Sequence, residues 1–207
     1  MAGISRRHKI FTHGAHRTRA AIVVTNNQID TLLLTQLSDS DTVVLEMTLD
    51  NAKIIIASMY FDINRQIADD VLKIEAILQH AKGAGIILAM DSNSRSTAWH
   101  DTQTNARGRI LEDFLTSNYL HTLNEDCDYP TFSGARGSSN IDLSVVNSQL
   151  LRTVHGWEIW DQDSCSVHNI LRFTIGHHCH YNTIPRTQEP RYVVQRININ
   201  KFHKKTN

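Results

Sequence analysis

The chain of 207 residues has little cysteine and no long apolar run. Its three cysteines lack CxxC spacing and leave an odd count, which excludes a disulfide framework and favours a reducing compartment. No apolar run approaches the length that crosses a bilayer, and the basic start lacks the apolar stretch of a signal peptide. Internal repeats and low-complexity tracts are also missing. These absences predict one soluble globular domain with a sizeable core.

Charge is unevenly distributed, although the formal net charge is zero. Residues 1–20 hold five basic and no acidic residues, and residues 186–207 hold six basic residues and one acidic residue. The middle, 21–185, keeps 10 basic against 20 acidic residues. Basic ends would contact a polyanion, whereas an acidic centre would repel one unless some carboxylates hold a cation. A solvated acidic surface with frayed, charged termini explains the same pattern.

Short apolar runs rich in isoleucine and valine predict most of the strands. The first four predicted strands are 20–24, 42–49, 53–60 and 85–90. Asp50 and Asn51 form a turn signal, so the second and third of these strands should form a hairpin. The later predicted strands are 131–133, 140–146, 153–160 and 169–175.

Helical periodicity predicts two helices, over 65–82 and 105–120, and Lys82 with Gly83 should close the first. Hairpins mixed with strand–helix–strand passages predict an α/β or α+β domain with mixed sheets. This domain should occupy residues 1–176, and the polar residues 177–207 should form a tail or linker.

The most informative stretch is "GIILAMDSNSRSTAWHD", residues 85–101. Its apolar strand ends in Asp91, Ser92 and Asn93, and a polar loop with Arg95 follows. Acidic and amide side chains just past a buried strand are well placed for a site, because a rigid element holds them at an exposed edge. Capping of a turn or helix start by Asp91 and Asn93 is the structural alternative.

Two further stretches carry candidate site residues. In "SSNIDLSVV", Asp142 lies between apolar residues, and a carboxylate within a buried strand is costly unless it is paired or hydrogen-bonded. Strand alternation that points Asp142 to solvent fits the pattern equally well. In "SVH", His168 stands before an apolar strand, where a single histidine is more often structural. Together with Asp91 and Asn93, these residues follow the order D-x-N, I-D, S-x-H along the chain.

In this order the motifs resemble those of the endonuclease/exonuclease/phosphatase superfamily, which is related to DNase I and the abasic-site endonucleases. More narrowly, the chain is similar to the endonuclease domain of site-specific non-LTR retrotransposons. The similarity spans roughly residues 5–176 and is carried by the segments 17–24, 90–101, 107–115, 123–124, 130–132, 139–146 and 166–171. It implies a DNase I-like four-layer α/β sandwich with two packed mixed β-sheets.

The resemblance also implies an activity and a role for each motif residue. Family members hydrolyse a phosphodiester bond with Mg²⁺, for which Mn²⁺ is an alternative. By position, Asp91 aligns and deprotonates the water and contributes to the metal shell, and Asn93 holds a phosphate oxygen. His168 contacts the phosphate and stabilises the transition state, while Asp142 hydrogen-bonds His168 and fixes its tautomer.

The implied partner is double-stranded DNA. The enzyme would nick this DNA in the nucleus, and the cut end would prime a reverse transcriptase domain of the same element. The resemblance implies no membrane partner. The residues expected to contact DNA or phosphate are Tyr60, Ser166, Arg95 and Arg136. The segment 124–140, which contains Arg136, is the candidate loop for specificity.

Two departures from the family pattern predict an impaired enzyme. The last family motif is Ser-Asp-His, whereas this chain has Ser166, Val167 and His168. Valine cannot bind Mg²⁺, a hard cation that takes oxygen ligands. The family also begins with a strand carrying Asn and another carrying a metal-binding Glu, and neither is found here. The domain is therefore expected to lack its first strand–helix–strand unit and to nick DNA weakly or not at all.

Other functions stay open. A non-catalytic DNA-binding remnant would bind through the basic ends, weaken with salt and ignore Mg²⁺. A phosphatase of the same superfamily would act on phosphoinositides or other small phosphates. A hydrolase built on Ser139, His168 and Asp142 is disfavoured because no GxSxG elbow is present. A zinc site at "HHCH", 177–180, is disfavoured because adjacent ligands seldom close a tetrahedral site.

Overall fold

The computed structural model describes residues 8–176, except 16, 50, 51, 136 and 161. The strands are β1 (Lys9–Phe11), β2 (Ile22–Val24), β3 (Asp30–Leu33), β4 (Thr42–Leu49), β5 (Ala52–Tyr60), β6 (Gly85–Asp91), β7 (Leu120–Thr122), β8 (Phe132–Gly134), β9 (Gly137–Ser139), β10 (Asp142–Asn147), β11 (Val154–Trp160) and β12 (Ile170–Ile175). The helices are α1 (Ile67–Ala81), α2 (Ala106–Ser117) and α3 (Ser148–Leu151), with 3-10 turns at Thr35–Leu37 and Thr97–Trp99. None of these helices is both long enough and apolar enough to cross a membrane.

A six-stranded mixed sheet in the order β3-β4-β5-β6-β10-β7 forms the centre of the domain. β5 and β6 are parallel, and all other neighbours are antiparallel. The predicted hairpin of β4 and β5 is confirmed, since the strands pair from Thr42 opposite Met59 to Leu49 opposite Ala52. The turn predicted at residues 50 and 51 lies outside the described residues.

α1 and α2 cover one face of this sheet. The apolar period of α1 buries Ile74 and Ile77 against alternate residues of the central strands, such as Ile55 and Leu88. Such burial stabilises the fold by about 25 cal/mol for each Å² of apolar surface removed from water. Lys82 ends α1 in the left-handed conformation, with φ of 37°. Both predicted helices are therefore present, and the first ends where its sequence indicated.

The antiparallel pair β11–β12 packs against the opposite face. Ile54, Ile87 and Val146 of the central sheet form a second apolar cluster with Trp157, and Phe173 packs against it. The pairs β1–β2 and β8–β9 are also antiparallel. In the described part of the chain, the expected second sheet is thus represented by two-stranded pairs beside one continuous mixed sheet.

The elements that the sequence did not predict are all short: β1, β3, β7, β9 and α3. Elements of three or four residues are too short to establish a period, so tertiary contacts decide them. The predicted tail, 177–207, and the "HHCH" segment lie outside the described residues. The loss of a first strand–helix–strand unit stays a prediction.

Candidate active site

Three candidate site residues lie in a row across the ends of neighbouring strands. Tyr60 at the end of β5 is opposite Asp91 at the end of β6, and Asp91 is opposite Asp142 at the start of β10. Because β10 runs antiparallel to β6, its beginning meets the end of β6 at the same edge of the sheet. The hydrogen bonds of the sheet therefore set the spacing of the phenol and the two carboxylates.

His168 reaches this row by pairing with β8. Phe132 and His168 form an isolated antiparallel bridge, and the Asn169 N–H donates to the Thr131 carbonyl at 2.7 Å. The rings of Phe132 and His168 pack edge to face, with centroids 4.9 Å apart. The backbone N–H of His168 donates to Ser166 Oγ at 3.2 Å. Backbone pairing, ring packing and a local turn thus hold the imidazole, and Ser166 acts on the turn in this arrangement.

Asp142 binds the imidazole of His168 from within the site. His168 Nδ1 lies 2.9 Å and 3.0 Å from the two carboxylate oxygens of Asp142. A carboxylate accepts hydrogen bonds, so Nδ1 donates and Nε2 is left to face the site. Nε2 is 3.9 Å from Asp91 Oδ2. The Asp142 side chain is 16% exposed, so it does not point into solvent.

The two carboxylates perturb one another. Burial, and next the charge of Asp142, raise the pKa of Asp91 to about 6, against the opposing effects of His168 and the Asn93 N–H. Burial also raises the pKa of Asp142, although the hydrogen bond from His168 lowers it. Two carboxylates with raised pKa values beside a histidine are typical of a functional site, since the fold holds charge there at a cost.

A cation would relieve this repulsion, and the residues fit one in part. Asp91, Asp142 and His168 are the one group of potential metal ligands in the described ranges, with ligand atoms within 4.8 Å of one another. Both oxygens of Asp142 face His168 Nδ1, so Asp91 supplies the free carboxylate. Mg²⁺ binds through one or two carboxylates together with substrate phosphates, which Asp91 satisfies minimally. Val167, 51% exposed, offers no ligand.

Asn93 follows β6 directly in a left-handed conformation, with φ of 45°. Its Nδ2 donates to the Phe61 carbonyl at 2.9 Å, and its backbone N–H approaches Asp91 Oδ1 at 3.3 Å. The amide keeps a second N–H and its oxygen for a ligand. Positive φ in a residue other than glycine is uncommon and clusters at functional sites.

A cavity of about 650 Å³ opens at the row of site residues. Tyr60, Asp91, Asp142 and His168 all line it. Arg95 instead lines a neighbouring cavity of about 480 Å³ together with Val167 and the β8–β9 hairpin. The Arg95 guanidinium donates to Asp101 at 2.8 Å. The structure therefore separates Arg95 from the central site residues, and Arg136 lies outside the described residues.

Two buried polar residues to which the sequence assigned no role support Asp142. Thr131 Oγ1 accepts the backbone N–H groups of Ile141 and Asp142, both at 3.0 Å. Asn124 Nδ2 donates to the Asp142 carbonyl at 2.9 Å, and Asn124 Oδ1 accepts the Ser144 N–H at 3.0 Å. The motifs "LN" and "PTF" contain both residues, but no local signal indicates which distant backbone groups they bind.

Comparisons with known proteins identify the family of the chain. The family described as endonuclease-reverse transcriptase matches residues 54–172, which is more than half of the chain. The Retrovirus-related Pol polyprotein from type-1 retrotransposable element R1 of Bradysia coprophila is 24% identical over 164 residues, 75% of this chain and 16% of that protein. The putative 115 kDa protein in type-1 retrotransposable element R1DM of Drosophila melanogaster is 24% identical over 172 residues, 79% of this chain and 17% of that one. The chain thus spans about a sixth of the length of these curated relatives.

Solved structures match the fold. The endonuclease domain of TRAS1, a telomere-specific non-LTR retrotransposon, has a TM-score of 0.77 at 28% identity, covering 83% of this chain and 81% of that one. The AP endonuclease LMAP from Leishmania major has a TM-score of 0.66 at 12% identity, covering 84% and 72%, and shows the fold alone. The predicted DNase I-like α/β class is thereby confirmed. The chain therefore belongs to the endonuclease–reverse transcriptase family, within the endonuclease/exonuclease/phosphatase superfamily of phosphodiester-hydrolysing enzymes.

Proposed function

We propose that this chain is a Mg²⁺-dependent DNA endonuclease domain. It nicks double-stranded DNA in the nucleus and so supplies a primer end for the reverse transcriptase of its parent element. The observation that carries the proposal is the row of Tyr60, Asp91 and Asp142 with His168 bound to Asp142. A base, a phosphate-contacting imidazole and its orienting carboxylate can align the attacking water and stabilise the charge that develops during hydrolysis of a phosphodiester.

Each residue has a role in the proposed reaction. Asp91, charged above its pKa of about 6, aligns the attacking water and takes its proton. In its imidazolium form, His168 donates its Nε2–H to a phosphate oxygen and stabilises the charge of the transition state, while Asp142 accepts the Nδ1–H and favours that form. Asn93 holds a second phosphate oxygen through its free amide N–H, and the Tyr60 hydroxyl contacts the phosphate.

Cation and DNA contacts complete the proposal. Asp91 would hold Mg²⁺ or Mn²⁺, and such a cation supplies neutralisation of the charge that develops on the phosphate. Ser166, Arg95 and Arg136 are proposed DNA contacts outside this centre. Arg95 would reach a nucleotide beside the scissile phosphate, because its cavity adjoins Val167, the neighbour of His168.

This copy should be a weak nuclease. Val167 stands where the family pattern has an aspartate, and its exposed side chain supplies no oxygen. Asp91 is the one carboxylate at the described site that has no hydrogen bond to His168. A single free carboxylate leaves the cation bound mainly by water and substrate.

Nicking of a supercoiled plasmid tests the proposal. The unchanged chain should nick slowly with Mg²⁺ and not at all with EDTA, and Val167→Asp should nick faster without reaching the rate of an intact family enzyme. Val167→Asn is the matched control, because the asparagine side chain has the size of aspartate but no charge. His168→Ala should abolish the activity. Fast nicking by the unchanged chain would contradict the impairment, and nicking by His168→Ala would contradict the assigned site.

A DNA-binding remnant is the second candidate, and the single free carboxylate at the site favours it. Such a remnant would bind duplex DNA with an affinity that falls steeply with salt and does not respond to Mg²⁺. Binding without nicking, both in the unchanged chain and in Val167→Asp, would establish this function instead.

A further inference from the structure

The Arg19 guanidinium lies over the ring of Tyr60, with its carbon 4.4 Å from the ring centroid. From the sequence, Arg19 had no role of its own beyond its place in the basic segment 1–20 and in the segment 17–24 that carries the family resemblance. The stack is notable because Tyr60 is one of the residues that line the site cavity, and Arg19 lines the same cavity. An arginine stacked on an aromatic ring limits the orientations that the ring can adopt.

Two carboxylates hold the Arg19 guanidinium in its plane. Arg19 Nε and Nη2 donate to the two oxygens of Asp41, each at 2.7 Å, and Nη1 donates to Asp62 at 2.7 Å. These edge contacts leave the flat face of the guanidinium to stack on Tyr60. They also offset the charge of Arg19, because the guanidinium is engaged by two carboxylates, of which Asp41 is shared with Arg65. Arg19 is consequently poorly suited to hold a DNA phosphate by itself.

Asp41, Asp62 and the Arg19 guanidinium that they hold are called the clamp. Asp41 connects this clamp to the backbone of Tyr60. The Asp41 side chain is buried, 4% exposed, and also pairs with Arg65. Its carbonyl accepts the backbone N–H of Tyr60 at 2.8 Å. Asp41 therefore fixes Tyr60 twice, through the backbone directly and through the ring by way of Arg19.

The Tyr60 hydroxyl, in contrast, has no hydrogen-bond partner among the residues that the structure describes. Its residue is half-buried, and its neighbour in the sheet register is Asp91. A ring that is fixed by a cation and a backbone bond, in a residue that lines the site cavity and whose hydroxyl has no partner among the described residues, is arranged for contact with a ligand.

We propose that Arg19 is a positioning residue, clamped by Asp41 and Asp62, that fixes Tyr60 so that its hydroxyl meets a DNA phosphate beside Asp91. This inference rests on the proposed function, in which Tyr60 contacts the phosphate. Arg19 acts through Tyr60 and does not itself hold the DNA.

Arg19→Lys tests the clamp, because an ammonium keeps the charge but loses the two-pronged pair with Asp41 and the flat stacking face. The chain offers a matched control in Arg172. Its guanidinium also lies over an aromatic ring, Trp160 at 5.3 Å, and pairs with Glu158. Arg172 alternates along β12 with the cavity-lining residues Leu171 and Phe173 and so points to the other face.

The first readout is affinity for a short DNA duplex by fluorescence anisotropy in EDTA, where no cleavage occurs. Tyr60→Phe and Arg19→Lys should each weaken binding by about 3- to 10-fold, and the double variant should bind no more weakly than Tyr60→Phe. Arg172→Lys should bind like the unchanged chain. An Arg19→Lys effect that persists in full beside Tyr60→Phe overturns the proposal, because Arg19 would then contact DNA directly.

The second readout needs no DNA and separates the two hypotheses. In an NMR spectrum of the chain with ring-labelled tyrosines, the Tyr60 signal is identified by its loss in Tyr60→Phe. This signal should shift in Arg19→Lys. The other tyrosine signals should stay in place, which shows that the fold is intact. An unmoved Tyr60 signal overturns the clamp. If the Tyr60 signal shifts but Tyr60→Phe binds DNA normally, Arg19 does position the ring, but Tyr60 does not contact a DNA phosphate. That result would overturn this part of the proposed function and the positioning role that depends on it.

Discussion

Asp91 and Asp142 are direct cross-strand partners in the antiparallel pair of β6 and β10. Like charges placed opposite each other on neighbouring strands destabilise a sheet. Both side chains are mostly buried, 19% and 16% exposed, so water screens their repulsion only in part. The imidazole of His168 lies against Asp142 and within 3.9 Å of Asp91, where its hydrogen bond offsets some of this cost. The site thus holds two carboxylates together at the expense of stability.

Asp91→Asn should make the folded chain more stable at pH 7. The folded pKa of Asp91 is about 6, above its ordinary value of 3.8, so the folded state loses stability as the pH rises from about 4 to 6. Removing the charge should recover about 1–3 kcal/mol at pH 7 and much less at pH 4. Urea unfolding in EDTA at both pH values measures the difference, with the exposed Asp113→Asn as control. A variant that is less stable at pH 7 would contradict the repulsion, and the variant should not nick DNA.

Asp142→Asn should slow nicking by about 10- to 100-fold, the range found when the partner that orients a metal-bound histidine is lost. The amide presents an N–H as well as an oxygen, so His168 is no longer held with its hydrogen on Nδ1. The rate is best measured in the Val167→Asp background, where the proposed activity is highest. Asp113→Asn again provides the control. An unchanged rate would show that Asp142 does not act through His168.

Thr131→Val should cost about 2 kcal/mol or more of unfolding free energy and should also slow nicking. The substitution keeps the shape of the side chain but removes the oxygen that accepts the backbone N–H groups of Ile141 and Asp142. Thr131 is 1% exposed, so water cannot replace that acceptor. Thr131→Ser, which retains the hydroxyl, should recover most of both losses. If Thr131→Ser behaves like Thr131→Val, packing and not the hydrogen bonds explains the effect.

Asp41 should make the fold sensitive to acid. The Arg19 hydrogen bonds, and next those of Arg65, lower the pKa of Asp41 from 3.8 to about 2 despite its burial. A carboxylate with a depressed folded pKa stabilises the fold above its unfolded pKa, and the contribution, about 2 kcal/mol, disappears as the pH falls from about 4 to 2. Asp41→Asn should therefore be less stable at pH 7, with a smaller difference at pH 3. Urea unfolding measures the free energy of unfolding of both proteins. An equal loss in Asp41→Asn at pH 7 and pH 3 would show that the charge of Asp41 is not the cause.

Local pattern was sufficient for the longer elements. The alternating and continuous apolar runs placed β4, β5, β6 and β10, and the helical period placed α1, because each spans enough residues to show its own period. The short strands β7 and β9 have no such signal and exist through pairing with a neighbour. The hairpin of β4 and β5 could be predicted because it is a local feature. The position of β10 between β6 and β7 could not, because it depends on pairing between strands that are far apart in the sequence.

The site shows the same division. Asp91, Asn93, Asp142 and His168 were chosen from residue type, strand edges and order along the chain. The register that puts Tyr60, Asp91 and Asp142 in one row depends on hydrogen bonds between strands far apart in sequence. Thr131 and Asn124 could not be assigned from sequence, because their partners are backbone groups 10 to 20 residues away.

By itself, the sequence determined the residue types and the order of the motifs, which carry the chemistry of a phosphodiester hydrolase, and it determined that position 167 is an apolar valine. Only the tertiary structure decided that Asp142 faces both His168 and Asp91 and that Arg19 lies over Tyr60. The physical reason is that side-chain chemistry is a local property of the chain. Distances between charges, the burial that shifts a pKa and the choice of a hydrogen-bond partner exist only after distant strands have paired.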